Sequence, residues 1–400
     1  MINWKTYKLC DLCKITSSKR IFAKEYKDTG IPFYRGKEII EKQKGNKIST
    51  ELFISQERYD EIKTKHGVPQ KDDMLLTSVG TLGIPYIIME NEVFYFKDGN
   101  ITWFYDFNGL DSRFLYYWFL SPIGRQMIDS KAIGSTQKAL TIEMMSKFEI
   151  TLPSLEEQKK IAGILGAIDD KIENNRRINA NLESQAQALY KQWFVDNRSD
   201  DWKEIKLSDI LEIHKKTITP SQTPNTIFEH YSLPAFDDGR NPTYESGDKI
   251  KSSKFVIEDD MFLFSKLNPR IKRLWLPCIQ TENAICSTEF VAYKPKDISM
   301  LAFCYSVVDS VEFYDFVLSL TNGSTGSHQR FHPIDTLEYS LKVPHMEVIK
   351  EFNAIVSHMY EQISKNIIEN RNLATLRDTL LPKLMSGELK ISEYEIHISR

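Results

Sequence analysis

An α+β fold, built as two globular domains in tandem pseudo-repeat and separated by two long antiparallel coiled-coil helices, is what this 400-residue sequence predicts. Three observations carry the prediction: the chain is written twice, each copy closes on a heptad-patterned stripe, and a proline precedes each stripe. In the first copy the stripe runs Ile161, Leu165, Ile168, Ile172, Asn175, Asn179, Leu182, Ala186, Leu189 and Trp193. Moving 191 residues along gives Phe352, Val356, Met359, Ile363, Asn366, Asn370, Leu373, Arg377, Leu380 and Leu384. Steps of four and three residues make the a/d seam of a coiled coil, and the asparagine pairs fall at the same steps in both copies. An antiparallel pair would set Asn175 near Asn370 and Asn179 near Asn366. A parallel pair also matches the asparagines, so the seam alone leaves orientation open. The antiparallel arrangement is preferred because it returns the C-terminus toward the first domain.

Length supports the division, since 400 residues exceed one compact core and suit two domains with connecting helices. The expected boundaries are a first domain over 1–151, a central helix over 152–197, a second domain over 198–342, a C-terminal helix over 343–390 and a tail over 391–400.

Each copy opens on a short alternating strand that enters a turn, Trp4 to Leu12 and Trp202 to Ile210. Asp72-Asp73-Met74-Leu75-Leu76 answers Asp259-Asp260-Met261-Phe262-Leu263, a polar turn leading into a buried strand. The offset between copies slips from 198 to 187 and ends at 191, so insertions and deletions fall inside the domains. Aromatic-rich helical segments follow, Asp111 to Ser130 and Ile298 to Leu320. Leu115, Trp118 and Phe119 recur at helical spacing, which favours core packing over a platform for stacking bases. Next come Gly134-Ser135-Thr136-Gln137-Lys138 and Gly323-Ser324-Thr325-Gly326-Ser327-His328-Gln329-Arg330. Glycine, hydroxyls, an amide and a cation in one loop supply donors for phosphates and base edges. Pro153 and Pro344 then precede the long helices. Ser154 with Glu157 forms a capping box at the first, which the second lacks. A helix from Leu155 to Phe194 would reach ~60 Å at 1.5 Å per residue, roughly one and a half to two turns of duplex.

Hydrophobic content of 41% is globular, and no apolar run approaches a membrane span. The lysine-bearing N-terminus lacks an apolar signal core, which points to the cytoplasm. Five cysteines, an odd number, suit a reducing compartment. Cys10 and Cys13 form a lone CxxC without the second ligand pair that zinc requires. Net charge is −3, yet residues 1–50 hold twelve Lys or Arg against five Asp or Glu, and Ser265 to Thr281 contains four cations and no acid. Such local excess fits an anionic partner, and equally a solvated face.

Catalytic signatures fail on inspection. Gly30 to Glu38 has one residue too many between its glycines for a phosphate loop and ends in Glu instead of Ser or Thr. No GxGxxG follows a strand, no HExxH occurs, and Asn268-Pro269-Arg270 does not continue into an amino-methyltransferase motif. Asp60, Glu61 and Lys63 fit a solvated helix better than a nuclease cluster. The expectation is therefore a chain with no catalytic residue and no metal.

At this point the residues resemble a family, the specificity subunits of type I restriction-modification systems. The resemblance rests on Leu152-Pro153-Ser154-Leu155-Glu156-Glu157-Gln158-Lys159-Lys160-Ile161 and Leu380-Leu381-Pro382-Lys383-Leu384-Met385-Ser386-Gly387-Glu388-Leu389. It also rests on the two glycine-serine-threonine loops and on Gly30 to Arg35, with Tyr231 to Phe236 a looser counterpart. It implies two target recognition domains that read a bipartite, asymmetric site in double-stranded DNA, with the helices setting the gap. It further implies two methyltransferase subunits and two restriction subunits as partners. S-adenosylmethionine, ATP and magnesium would sit on those partners, and no cofactor on this chain. DNA-facing residues would be Lys19, Arg20, Arg35, Lys37, Ser135, Thr136, Gln137 and Lys138 in the first half. Arg240, Lys266, Arg270, Lys272, Arg273, Ser327, His328, Gln329 and Arg330 would serve in the second. Arg377 in place of Ala186, and the missing cap, imply that the two docking surfaces differ. A coiled-coil adaptor that binds protein and a self-contained nuclease are the competing alternatives.

Overall fold

The structure, a computed structural model, describes residues 4–45, 48–49, 52–134, 138–321 and 329–391. The chain parts into two compact units, one of Met1–Glu173 with Arg371–Arg400 and one of Asn174–Asn370. Both divisions fall inside the long helices, so each unit holds one globular domain together with a portion of each helix.

The first unit carries strands β1 (Lys5–Lys8), β2 (Lys14–Thr16), β3 (Ile31–Tyr34), β4 (Phe53–Ile54), β5 (Met74–Thr77), β6 (Pro85–Ile87), β7 (Tyr95–Phe96), β8 (Ile101–Tyr105) and β9 (Glu149–Leu152). Its short helices are α1 (Gly36–Gln43), α2 (Gln56–His66), α3 (Ser112–Leu120), α4 (Pro122–Lys131) and α5 (Ile142–Ser146), and the long α6 (Leu155–Tyr190) follows. An antiparallel sheet runs β2-β8-β5-β6, and a smaller one runs β4-β3-β7 with β3 and β7 parallel. Met74, Leu75 and Leu76 are all fully buried, because β5 is covered on both faces. Strand β1 pairs with β9, Lys5 against Leu152, which seats the first strand at the foot of α6.

In the second unit the strands are β10 (Lys203–Lys206), β11 (Leu211–His214), β12 (Thr217–Ile218), β13 (Ile227–Tyr231), β14 (Thr243–Ser246), β15 (Lys254–Val256), β16 (Phe262–Ser265), β17 (Leu274–Trp275), β18 (Ala284–Ser287), β19 (Phe290–Pro295) and β20 (Ser340–Val343). The helices are α7 (Leu207–Ile210), α8 (Leu233–Asp237), α9 (Leu301–Asp309) and α10 (Val311–Ser319), and the long α11 (Met346–Met385) begins in this unit and ends in the first. The order β11-β19-β16-β17 repeats β2-β8-β5-β6 strand for strand, and β10 pairs with β20 as β1 does with β9. The other sheet has grown to β12-β15-β18-β13-β14, keeping a parallel pair, β13 with β18, at the place of β3 with β7. Between β4 and β5 the first unit places helix α2, whereas the second places strand β15 before β16. The slip in offset between the copies falls in this region.

Helix α6 starts as its sequence predicts: Ser154 Oγ accepts from the Glu157 backbone N–H at 3.3 Å. Helix α11 stops at Gly387, whose φ of +72° suits glycine, with Leu389 N–H donating to Lys383 O at 3.0 Å. The first aromatic segment is core: Leu115, Trp118 and Phe119 are buried side chains of α3.

Within each unit the long helices pair antiparallel, which resolves the orientation the seam leaves open. In the second, Asn175 Nδ2 donates to Asn370 Oδ1 at 2.9 Å and to Glu369 at 2.7 Å, and Asn366 Nδ2 donates to Asn179 Oδ1 at 2.7 Å. Phe352, Val356 and Ile363 are buried in the same core as Ala186 and Tyr190, with Leu182, Leu189 and Met359 packed against it. In the first, Ile161 and Leu165 share a core with Leu381 and Leu384, with Leu380 packed against it. Ile168 and Ile172 are buried, and Leu373 is half-buried. Among the described residues no helix is long and apolar enough to cross a membrane.

Candidate nucleic-acid interface

Strand β5 runs into the loop Ser78-Val79-Gly80-Thr81-Leu82-Gly83, and this loop meets the stretch that holds Lys138. Gly80 N–H donates to Lys138 O at 3.3 Å, Leu140 N–H to Ser78 O at 2.9 Å, and Val79 bridges Ala139. The second unit repeats the construction after β16. Asn268 N–H donates to Gln329 O at 3.0 Å, and Leu267 bridges Arg330. Gly80 and Asn268 occupy the same turn position with φ of +80° and +49°, a conformation open at little cost only to glycine and, to a lesser degree, asparagine. A loop after the central buried strand therefore joins the donor-rich loop in both units. Sequence inspection missed 78–83 because it is uncharged; its glycines and hydroxyls directly after a buried strand were the available signal.

Lys138 is exposed, Gln329 half-buried and Arg330 exposed. Arg330 forks onto Glu289 at 3.0 and 3.1 Å, and the backbone N–H of the neighbouring Lys266 donates to Glu289 O at 2.9 Å. Arg270 is exposed on the same loop. Ser135, Thr136, Gln137, Ser327 and His328 lie outside the described residues.

The other first-unit candidates, Lys19, Arg20, Arg35 and Lys37, lie on or beside β3 and β7. Lys19 N–H donates to the Tyr95 hydroxyl at 2.7 Å, and Arg20 pairs with Asp98 at 2.9 Å. Arg35 ends β3 and caps α1, where Glu38, fully buried, accepts its N–H at 2.8 Å and its guanidinium at 2.9 Å. Burial works against the Glu38 charge, but Arg35 outweighs it and holds the carboxyl below the usual carboxylate range. Lys37 is exposed, 3.7 Å from Glu41.

Three further second-unit cations pair with protein acids, as Arg330 does with Glu289. Arg240 reaches Glu183 at 2.7 Å, Lys272 reaches Asp309 at 2.6 Å, and Arg273 forks onto Asp237 at 2.7 and 2.9 Å with only 11% of its side chain exposed. The CxxC offers no reactive thiolate at Cys13, whose thiol burial pushes up to about 12. On α2, Glu61 bonds Arg58 at 2.7 Å and Lys65 at 2.9 Å, the pattern of a solvated helix. Among the described residues, no three His, Cys, Asp or Glu converge as a metal site.

An internally duplicated protein, in which two α+β modules each close on part of one antiparallel helix pair, is the class this architecture defines. A model of the type I restriction modification DNA specificity domain matches residues 1–184. The specificity subunit of type I restriction enzyme MjaIX from Methanocaldococcus jannaschii is 26% identical over 72% of this chain and 71% of its own length. That of HindI from Haemophilus influenzae is 23% identical over 64% of this chain and 72% of its own. The crystal structure of a type I S subunit from M. genitalium superposes with a TM-score of 0.58 at 18% identity, covering 96% of each chain, and so shares the fold. In sequence over residues 1–184 and in fold over nearly its whole length, the chain is similar to type I restriction-modification specificity subunits.

Proposed function

We propose that this chain is a specificity subunit that reads a bipartite, asymmetric target in double-stranded DNA, one half-site with each unit, and performs no covalent chemistry itself. Two methyltransferase subunits would dock on it, bringing S-adenosylmethionine, and two restriction subunits would bring ATP and magnesium, all in the cytoplasm. The observation that carries this function is the recurrence of one loop pair on different side chains: Gly80 with Lys138 in one unit, Asn268 with Gln329 and Arg330 in the other. A conserved frame with exchanged side chains is what two reading heads for different sequences need. Lys138, Lys266, Arg270, Gln329 and Arg330 would face DNA from these loops, with Lys19, Arg20, Arg35 and Lys37 on the neighbouring sheet. The test is to express the chain with its methyltransferase subunit and map methylated adenines by single-molecule sequencing. A split motif with a fixed gap is expected; a stable complex that leaves no motif would favour a protein-binding adaptor.

A further inference from the structure

Arg240, Lys272 and Arg273 do something other than meet DNA: we infer that they form an ion-pair latch that holds the reading loop of the second unit on the helix pair, as positioning residues for the gap between half-sites. The inference rests on the DNA-reading function above. Residues 266–273 leave β16 with Lys266 and Arg270 and return to β17 through Lys272 and Arg273. Two routes tie that return to α6. Lys272 Nζ pairs with Asp309 Oδ1 at the end of α9, and Asp309 Oδ2 accepts from Gln187 Nε2 at 2.7 Å. Arg273 forks onto Asp237 at the end of α8. Three residues further on, Arg240 lies 5.2 Å over the Phe236 ring and donates to Glu183 Oε1 at 2.7 Å.

Glu183 and Gln187 stand one turn apart on α6, so both routes end on one helix face. Between them lies a polar hollow of about 160 Å³ walled by Tyr305 and Tyr360. Arg240 holds a φ of +58°, uncommon for a residue with a side chain, which the fold keeps at some cost in strain. Forked guanidinium pairs fix direction as well as distance, the property a positioning contact needs. In the first unit the matching loop, 78–83, carries no cation, and Arg125 Nη1 meets Leu82 O at 3.4 Å instead.

The experiment uses the full chain with its methyltransferase subunit and plasmids carrying the native half-sites at varied gaps. Glu183→Gln and Asp309→Asn should leave both half-site sequences unchanged. The preference for the native gap over gaps one base pair away should fall roughly fivefold, the factor expected of a half-exposed ion pair. Exchanging the charges with Glu183→Arg and Arg240→Glu together should restore the preference. An unaltered gap profile, or equal loss at every gap, overturns the latch. So does a changed base in either half-site when Arg240 is replaced, since Arg240 would then read DNA. Hydrogen exchange across 265–273 needs no DNA and stands whether or not a motif is found. Faster exchange in Glu183→Gln is expected, and unchanged exchange overturns the latch.

Discussion

Where α3 of the first unit meets the helix pair, Tyr117, Asp169 and Arg377 form a charged chain. Ser306, Tyr360 and Ala186 stand in the same places where α9 of the second unit meets it. The Tyr117 hydroxyl donates to Asp169 at 2.7 Å, Arg377 donates to the other Asp169 oxygen at 2.8 Å, and Arg377 also holds Asp378. Burial, with the Asp169 charge beside it, pushes the Tyr117 phenol up, so the hydroxyl stays a donor. In the second unit the Ser306 and Tyr360 hydroxyls lie 3.2 Å apart, Tyr305 meets Tyr360 edge-on at 5.0 Å, and Ala186 is fully buried. One backbone slot accepts either an ionic chain or an aromatic pair around a small residue. Each filling works only as a set, because a half-made ionic chain leaves a charge without its partner.

The largest break in that comparison should come from Ala186→Arg, which copies Arg377 into the slot that lacks an Asp169. It should cost roughly 4 kcal/mol, read as an early urea midpoint. Asp169→Ala takes the acceptor from Tyr117 and leaves Arg377 with Asp378 alone, and should cost about 2 kcal/mol, discounted for partial exposure. Asp169→Leu combined with Arg377→Ala should recover most of that loss, and failure to recover would show that the charges do more than fill the slot. Tyr117→Phe removes one charge-assisted bond, about 1 kcal/mol, and Tyr360→Phe a weaker neutral one, about half as much.

The smallest effect depends on pH and should appear in the second unit. Burial holds the His230 imidazole below its usual value of 6.5, and Glu245, 3.1 Å away, offsets this only in part. The folded unit therefore takes up a proton less readily than the unfolded chain. Stability is unaffected above about pH 6.5 and falls as pH drops from there toward the lower folded value. His230→Gln should flatten that slope in melting scans. Strand β3, at the corresponding place in the first unit, carries no histidine.

Periodicity made the helices legible, since a seam with two asparagines at matched steps leaves few arrangements. The duplicated sheet was legible through Met74 and Met261, because a strand covered on both faces must be apolar throughout. The replacement of α2 by β15 was not, because short half-buried segments carry no lasting period. Charge alone marked Arg240, Lys272 and Arg273. Their acids lie 57, 37 and 36 residues away along the chain, and nothing local marks a cation that pairs with so distant an acid.

The membership of the two units also sets an order of events during synthesis. Asn174–Asn370 is one unbroken stretch, whereas the core of the first unit also takes in the end of α11. Leu381, Leu384 and Met385 fill the core built around Phe114 and Leu165. The domain that leaves the ribosome first must therefore wait with an open apolar face until the second has its whole chain. Its exposure to chaperones and proteases is longest although its translation begins earliest.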